Sequence, residues 1–235
     1  MTVFAGRIAL VTGASRGIGA AIAEQLAAKG AHVVLTARTA KDLEAVEDRI
    51  FDAGGSATIA PLDLTESGSI DRLAAALRER WGKIDYMVLN AAMLGTLSPV
   101  PVIDAAEFNR VLTLNLLAQQ ALIAAFDDLI RASDAGRLIV MTSSVGSKPR
   151  AFWGAYGASK AALENLVLSY AEEVQNLSRV KVAIVDPGKT RTKMRALAYP
   201  GEDPATLKEP VVVGEAIAKL LTDDFDTGAR LAIGE

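Results

Sequence analysis

The chain has 235 residues, a net charge of −3, and 51% hydrophobic against only 5% aromatic residues, which suits one large α/β domain with an aliphatic core. Its basic residues are dispersed, so it carries no electrostatic footprint for nucleic acid. Cysteine is absent, which excludes disulfides, thiol catalysis and cysteine-held metal, and no apolar run reaches the ~18 residues that crossing a membrane requires.

Residues 1–6 lack a signal-peptide pattern, and the expected location is the cytoplasm. Residues 8–11, Ile-Ala-Leu-Val, have the length and composition of a buried strand. The turn Thr12-Gly13-Ala14-Ser15-Arg16-Gly17-Ile18-Gly19 follows, then a helix over 20–29 with Ile22, Ala23 and Leu26 on one face and Gly30 as its stop. Strand, glycine turn and helix together form a phosphate-binding corner. Glycines let the backbone turn tightly and approach a pyrophosphate, and the helix N-terminus offers unpaired N–H groups and a positive dipole end.

His32, the single histidine, reads as a surface residue opening the second strand over 33–36. A Ser-His-Asp hydrolase or a histidine-held zinc therefore has little to draw on, and no metal site is expected. That strand ends in Thr36-Ala37-Arg38-Thr39, with no acid where NAD-binding units place one on the ribose. A carboxylate there would repel a 2′-phosphate, whereas the guanidinium of Arg38 can grip it, with Arg16 as a second cation. This favours NADP(H) over NAD(H); the alternative is two solvated loop charges.

A helix over 41–53 and a strand over 57–62 lead to Asp63-Leu64. Asp63 either accepts a hydrogen bond from adenine or closes its own Asx turn. A helix over 69–81 stops at Gly82, and a strand over 84–89 ends in Asn90-Ala91-Ala92, whose small side chains suit a backbone lying against a flat ligand. After a proline-containing loop, Asp104 caps a helix expected to run to about residue 131; Asn115 is unfavourable within it and implies a partner, structural or catalytic. A strand over 137–141 runs into Thr142-Ser143-Ser144, placing hydroxyls at the carboxyl end of the sheet.

In the helix over 155–176, Tyr156 and Lys160 share a face at i, i+4, and the ammonium is expected to lower the phenol's pKa from its usual ~10. A strand over 180–185 precedes the irregular 187–210. Residues 189–210 read as a substrate lid whose Lys193, Arg195, Glu202 and Asp203 favour a small or polar molecule over a long apolar cleft. A helix over 213–221 and a strand over 230–233 complete the chain.

Strands alternating with helices predict a parallel sheet covered on both faces, in one domain over 1–235 without repeats or linkers. Leu112, Leu116, Ala121, Leu122, Ala161, Ala162, Leu166, Val167 and Ala171 put more apolar surface on the two long helices than one sheet face covers.

Jointly, the glycine turn, Asn90-Ala91, Asn115, Ser143, Tyr156-x-x-x-Lys160 and Pro187-Gly188 with Thr192 resemble the short-chain dehydrogenase/reductase family through nearly the whole chain. Residues 150–156 and 187–196 look like a little-characterised bacterial branch of it. One departure is Ala92, where the family has glycine.

The resemblance implies a doubly wound Rossmann fold with a seven-stranded parallel sheet, a homodimer or homotetramer pairing the two long helices, and hydride transfer between NADP(H) and a small-molecule carbonyl or alcohol. It implies Tyr156 as acid/base, Ser143 on the substrate oxygen, Lys160 on phenol and ribose, and Asn115 holding a water behind the lysine. Cofactor contacts are expected from Gly13, Ser15, Arg16, Gly17, Ile18, Gly19, Arg38, Asp63, Leu64, Asn90, Ala91, Tyr156, Lys160, Pro187, Gly188, Thr190 and Thr192. Reduction is the expected direction. The rivals are an NADP-binding sensor or scaffold without turnover and a non-redox lyase or epimerase.

Overall fold

The computed structural model describes residues 2–234. Among them seven strands pair side by side, all parallel: β1 (Ile8–Thr12), β2 (His32–Ala37), β3 (Ser56–Pro61), β4 (Tyr86–Leu89), β5 (Arg137–Met141), β6 (Lys181–Asp186) and β7 (Ala229–Ala232). Their order is β3-β2-β1-β4-β5-β6-β7, so the winding reverses between β1 and β4. In open α/β sheets the crevice at such a reversal, outside the carboxyl ends of the strands, is where ligands bind.

Alternation along each strand sends side chains to two cores. Ile8 and Leu10 face one, with Ile70, Leu73 and Leu77 of α3 (Ser69–Trp81). That core is completed by Leu122 and Phe126 of α5 (Ala118–Arg131) and by Leu163, Val167 and Tyr170 of α7 (Gly154–Gln175). Ala9 and Val11 face the other, with Ile22 and Leu26 of α1 (Gly17–Ala28), Leu43 and Val46 of α2 (Ala40–Asp52), and Val213 and Ile217 of α9 (Pro210–Leu220). The apolar strands are thus buried on both sides, as their composition requires. Of the apolar residues on the long helices, Leu122, Val167 and Ala171 belong to the core rather than to the surface. Leu117, by contrast, is 58% exposed.

Helix α1 begins at Gly17, so Gly17-Ile18-Gly19 form its first turn instead of preceding it. The expected cap at Asp104 is present: its carboxylate accepts from the Glu107 N–H at 2.7 Å and opens α4 (Ala105–Leu112). The helix expected to run on to residue 131 is interrupted by a π turn, Thr113–Leu117, before α5. Two short helices, α6 (Ser144–Ser147) and α8 (Lys193–Ala198), are too brief to leave a periodic pattern. Among the described residues no helix is long and apolar enough to cross a membrane.

At the amino edge of the sheet Asp85 is fully buried just before β4, which therefore starts later than its apolar run suggests. Its carboxylate accepts from Ser133 Oγ (2.6 Å), the Ile8 N–H (2.9 Å), Lys83 Nζ (3.0 Å) and Arg7 (2.9 Å). Burial pushes this carboxyl up, and those four donors outweigh it, holding its pKa below the usual carboxylate value.

Candidate active site

The glycine turn is shaped by close approach. Gly13 takes a left-handed φ of +66°, and a Cβ there would lie 3.0 Å from the Ala91 Cα; a Cβ on Gly19 would collide with the Gly13 carbonyl oxygen at 2.2 Å. Asn90 holds this packing in place: its Nδ2 donates to the carbonyls of Thr12 (3.0 Å) and Gly13 (3.3 Å). Thr12 Oγ1 in return accepts from the N–H groups of Asn90 and Ala91, both at 3.0 Å. Asn90 is thus the clamp that binds β4 to the turn.

The first turn of α1 has no side-chain cap and no acidic residue, so its N–H groups face outward at the positive end of the dipole. Arg16 and Arg38 flank it, both exposed. Thr192, in the segment after β6, reaches the same place, its Cγ2 3.5 Å from where a Gly17 Cβ would be.

Asp63 closes its own Asx turn, accepting from the Thr65 N–H (2.8 Å) and hydroxyl (2.7 Å) through one oxygen. Those bonds, with the nearby charge of Arg38, hold its pKa below the usual value. Leu64 packs into the core beneath. After β6, Gly188 turns at φ +65° and its N–H donates to Asp186. Thr190 is buried and its hydroxyl donates to the carbonyls of Pro187 (3.2 Å) and Gly188 (3.4 Å), so it stiffens the loop. Ser15 and Ile18 lie half-buried along the turn.

The Tyr156–Lys160 face of α7 looks onto the end of β5. Lys160 is 2% exposed, its Nζ donating to the Met141 carbonyl at 2.8 Å and standing 5.8 Å from the Tyr156 ring centre. Burial brings its pKa down to about 8, against the opposing charge of Glu164. The expected lowering of the Tyr156 pKa is overturned. Burial pushes the phenol up, Asp186 adds to the rise, and the lysine is turned to the strand carbonyl. Spacing places two groups on one face, whereas depth of burial decides the sign. Ser143 takes an extended backbone ahead of α6, and its hydroxyl does not cap that helix.

Asn115 lies in the π turn, fully buried. Its side chain accepts from the Met93 N–H (2.8 Å) and donates to the Met93 carbonyl (2.9 Å) and Ser159 Oγ (3.0 Å). The carboxamide therefore ties the β4 loop to α7 one residue from Lys160.

Sequence reasoning missed Glu164, although it continues the four-residue spacing of Tyr156 and Lys160. Nearly buried, it accepts from Thr142 Oγ1 at 2.5 Å and pairs with Arg230 of β7. It missed Trp153 as well, whose ring meets Tyr156 edge-on at 5.9 Å.

The lid's charges are also arranged otherwise than its composition suggests. Arg195 forks onto Glu202 at 2.5 Å through both bonds and stacks on Tyr199 at 3.8 Å, while Met194 and Ala198 pack towards Tyr156. Two of the four charges behind the expectation of a small or polar substrate thus neutralise each other, while Lys193 and Asp203 stay exposed.

A model of the short chain dehydrogenase family matches residues 7–203. The chain belongs to that family. Among its relatives, the uncharacterized oxidoreductase YciK of Escherichia coli K12 is 38% identical over 221 residues, covering 93% of this chain and 87% of that one. A candidate short chain dehydrogenase from E. coli CFT073, solved with NADPH, superposes with a TM-score of 0.95 at 36% identity, covering 100% of this chain and 99% of that one. One from Shigella flexneri 2a, solved with NADP, gives 0.94 at 36% identity, covering 99% and 98%. As a short-chain dehydrogenase the chain has the seven-stranded Rossmann-type sheet that the resemblance implied.

Proposed function

We propose that this short-chain dehydrogenase is an NADP(H)-dependent oxidoreductase acting on a small-molecule carbonyl or alcohol, with Tyr156 as acid/base. The observation that carries the reading is the Tyr156–Lys160 pair of α7, buried at the carboxyl end of β5 beside the sheet's reversal. The glycine turn fits a dinucleotide: the backbone is held for close approach, and the first turn of α1 is uncapped. Gly13, Ser15, Gly17, Ile18 and Gly19 would lie along the pyrophosphate, with Asn90-Ala91 and Leu64 beneath. Asp63 would stand at the adenine end through its second oxygen. Pro187, Gly188 and Thr192, with Thr190 bracing them, would bound the nicotinamide end.

When bound, the nicotinamide supplies or accepts the hydride; the protein's work is positioning and proton transfer. Ser143 would hold the substrate oxygen by a hydrogen bond. Tyr156, kept protonated by burial, would donate its proton to that oxygen in reduction. Lys160, a charged group held on the Met141 carbonyl, would bind the ribose hydroxyls and stabilise the phenolate as the proton leaves. Asn115, its carboxamide engaged on Met93 and Ser159, would fix the backbone along which a water continues the proton path. NADPH consumption over a panel of carbonyl compounds tests the reading; no consumption with any of them overturns it.

Arg16 and Arg38 support NADP(H) over NAD(H), as do the relatives solved with NADP and NADPH. Ala37→Asp with Arg38→Leu should weaken NADPH by roughly ten- to several hundredfold, since ~1.5–3.5 kcal/mol of charge-assisted bonding is lost. Titrating both cofactors against the parent protein and this variant checks it; tighter NADH binding by the parent contradicts it.

On the long helices Leu117 and Ala161 are exposed, Ala162 is half-buried, and Leu116, Ala121 and Leu166 are only partly buried against the core. A homodimer pairing these helices, or a tetramer built on it, is expected. Light scattering at micromolar concentration should give a mass at least twice that of one chain.

A further inference from the structure

The side chains around Tyr156 form a third, small cluster apart from the two sheet cores: Leu94 and Val145 are buried with it, and Leu97, Trp153, Met194 and Ala198 pack against them. Every one of these is aliphatic or aromatic, with Met194 contributing a thioether. Of the cations near the cluster in sequence, Lys193 is exposed, Lys160 is turned to the Met141 carbonyl, and two arginines are engaged elsewhere. Arg195 is neutralised by Glu202 and lies on the Tyr199 ring, and Arg150 bonds to the Tyr199 hydroxyl and sits 5.8 Å from the centre of the Trp153 ring. Tyr199 in turn stacks at 5.7 Å on Trp153, so aromatic rings and paired charges form an outer layer over an apolar interior.

Bulky apolar residues also stand in solvent on the segments that frame the cluster: Val100 (69% exposed), Phe152 (57%) and Leu197 (75%). Val100 packs over the start of α7, its Cγ2 3.0 Å from where a Gly154 Cβ would be, and the adjacent loop is joined to the cluster by the Ser98–Trp153 bridge. Phe152 adopts a left-handed φ of +72°, a conformation costly for a bulky residue, and keeps its ring outward. Exposed apolar residues grouped beside a reacting group mark a surface that a ligand covers.

We propose that the compound bound at Tyr156 is an uncharged ketone or aldehyde, or the matching alcohol, whose carbonyl carries aliphatic or aromatic substituents, and that Trp153 and Met194 set this preference. The proposal rests on the oxidoreductase reading above and names its substrate class. In reduction the carbonyl carbon gains the hydride, the C=O π pair takes the Tyr156 proton, and NADPH becomes NADP⁺. Beyond the groups assigned to the reacting oxygen and the ribose, the cluster offers only apolar side chains, so a carboxylate or polyol would be stripped of water there without replacement, which costs far more than a mismatched methylene group.

The test uses the full chain with saturating NADP⁺ for binding and NADPH for turnover. Acetophenone and cyclohexanone are set against pyruvate and dihydroxyacetone. The chain has two tryptophans, so in a Trp81→Phe background the fluorescence of Trp153 reports occupancy directly. The apolar ketones should perturb Trp153 with affinities at least ~10-fold above the polar pair. Met194→Lys, on the half-exposed face of α8, should remove that preference at least ~10-fold while NADPH affinity stays within ~2-fold. Tighter binding of pyruvate or dihydroxyacetone, or no response of Trp153 to either pair, overturns the proposal. Binding of the apolar pair without NADPH consumption by any carbonyl supports the apolar preference and overturns the oxidoreductase reading instead.

Discussion

Tyr156→Phe is expected to lower carbonyl reduction at least ~10²-fold while leaving folding and NADPH affinity intact. The substitution keeps the ring that packs against Trp153, Leu94 and Val145 and removes only the hydroxyl. Lys160→Ala should damage cofactor affinity and turnover together, because in the proposed mechanism one side chain would serve both ribose and phenol. The two variants separate chemistry from binding in a way that a cofactor sensor would not reproduce.

The same pair sets the pH dependence. The phenol is pushed up by burial and stays protonated through the neutral range, so it imposes no limit of its own there. Lys160 is charged below about 8 and neutral above it. Turnover in the reducing direction should therefore hold as pH rises to that value and decline beyond it. A kcat/KM profile measures this, and a rate that climbs through pH 8 would contradict the assignment.

Asp85→Ala should be the most destabilising single change at the amino edge of the sheet. The buried Ser133 hydroxyl and Ile8 N–H each lose their acceptor, at ~1–3 kcal/mol apiece, so a loss of about 3 kcal/mol is expected. For a chain of this size that lowers Tm by roughly 6–12 °C. The sign with pH follows from the depressed carboxyl. Its folded pKa lies below its unfolded value, so its contribution is complete above pH ~5 and is lost as pH falls through the folded value. The difference in unfolding free energy between parent and variant should shrink on acidification below pH ~4, and a constant difference down to pH 2 would refute the account. Catalysis in the folded variant should be unchanged, since Asp85 lies at the end of the sheet opposite the ligand crevice.

The features legible beforehand are those whose physics is local. The glycine turn, the Asp104 cap, the bounds of α3 and the shared face of Tyr156 and Lys160 all follow from spacing within one or two helical turns. What was hidden depends on partners brought from far along the chain. Glu164 acquires meaning only when Thr142 of the β5 end and Arg230 of β7 converge on it. The lid reads as polar because composition counts Arg195 and Glu202 as two charges, whereas the fold joins them into one neutral pair behind Met194 and Ala198. The phenol's pKa was misjudged for the same reason: proximity of an ammonium is visible in a spacing, and exclusion of water is not.

The π turn at Thr113–Leu117 has a consequence for how this helix tolerates changes of length. One extra residue there rotates everything before it by about 100° relative to everything after it, compared with a continuous α-helix. That offset lets Asn115 reach Met93 and Ser159 while Leu122 and Phe126, farther along, still meet the sheet. Deleting Leu114 would close the segment into regular helix at no cost in backbone bonding, and would swing Asn115 off its partners or Leu122 off the core. A one-residue deletion here would therefore disturb two joins at once, because the phase set by the π turn ties the loop after β4 and the sheet core to the same helix.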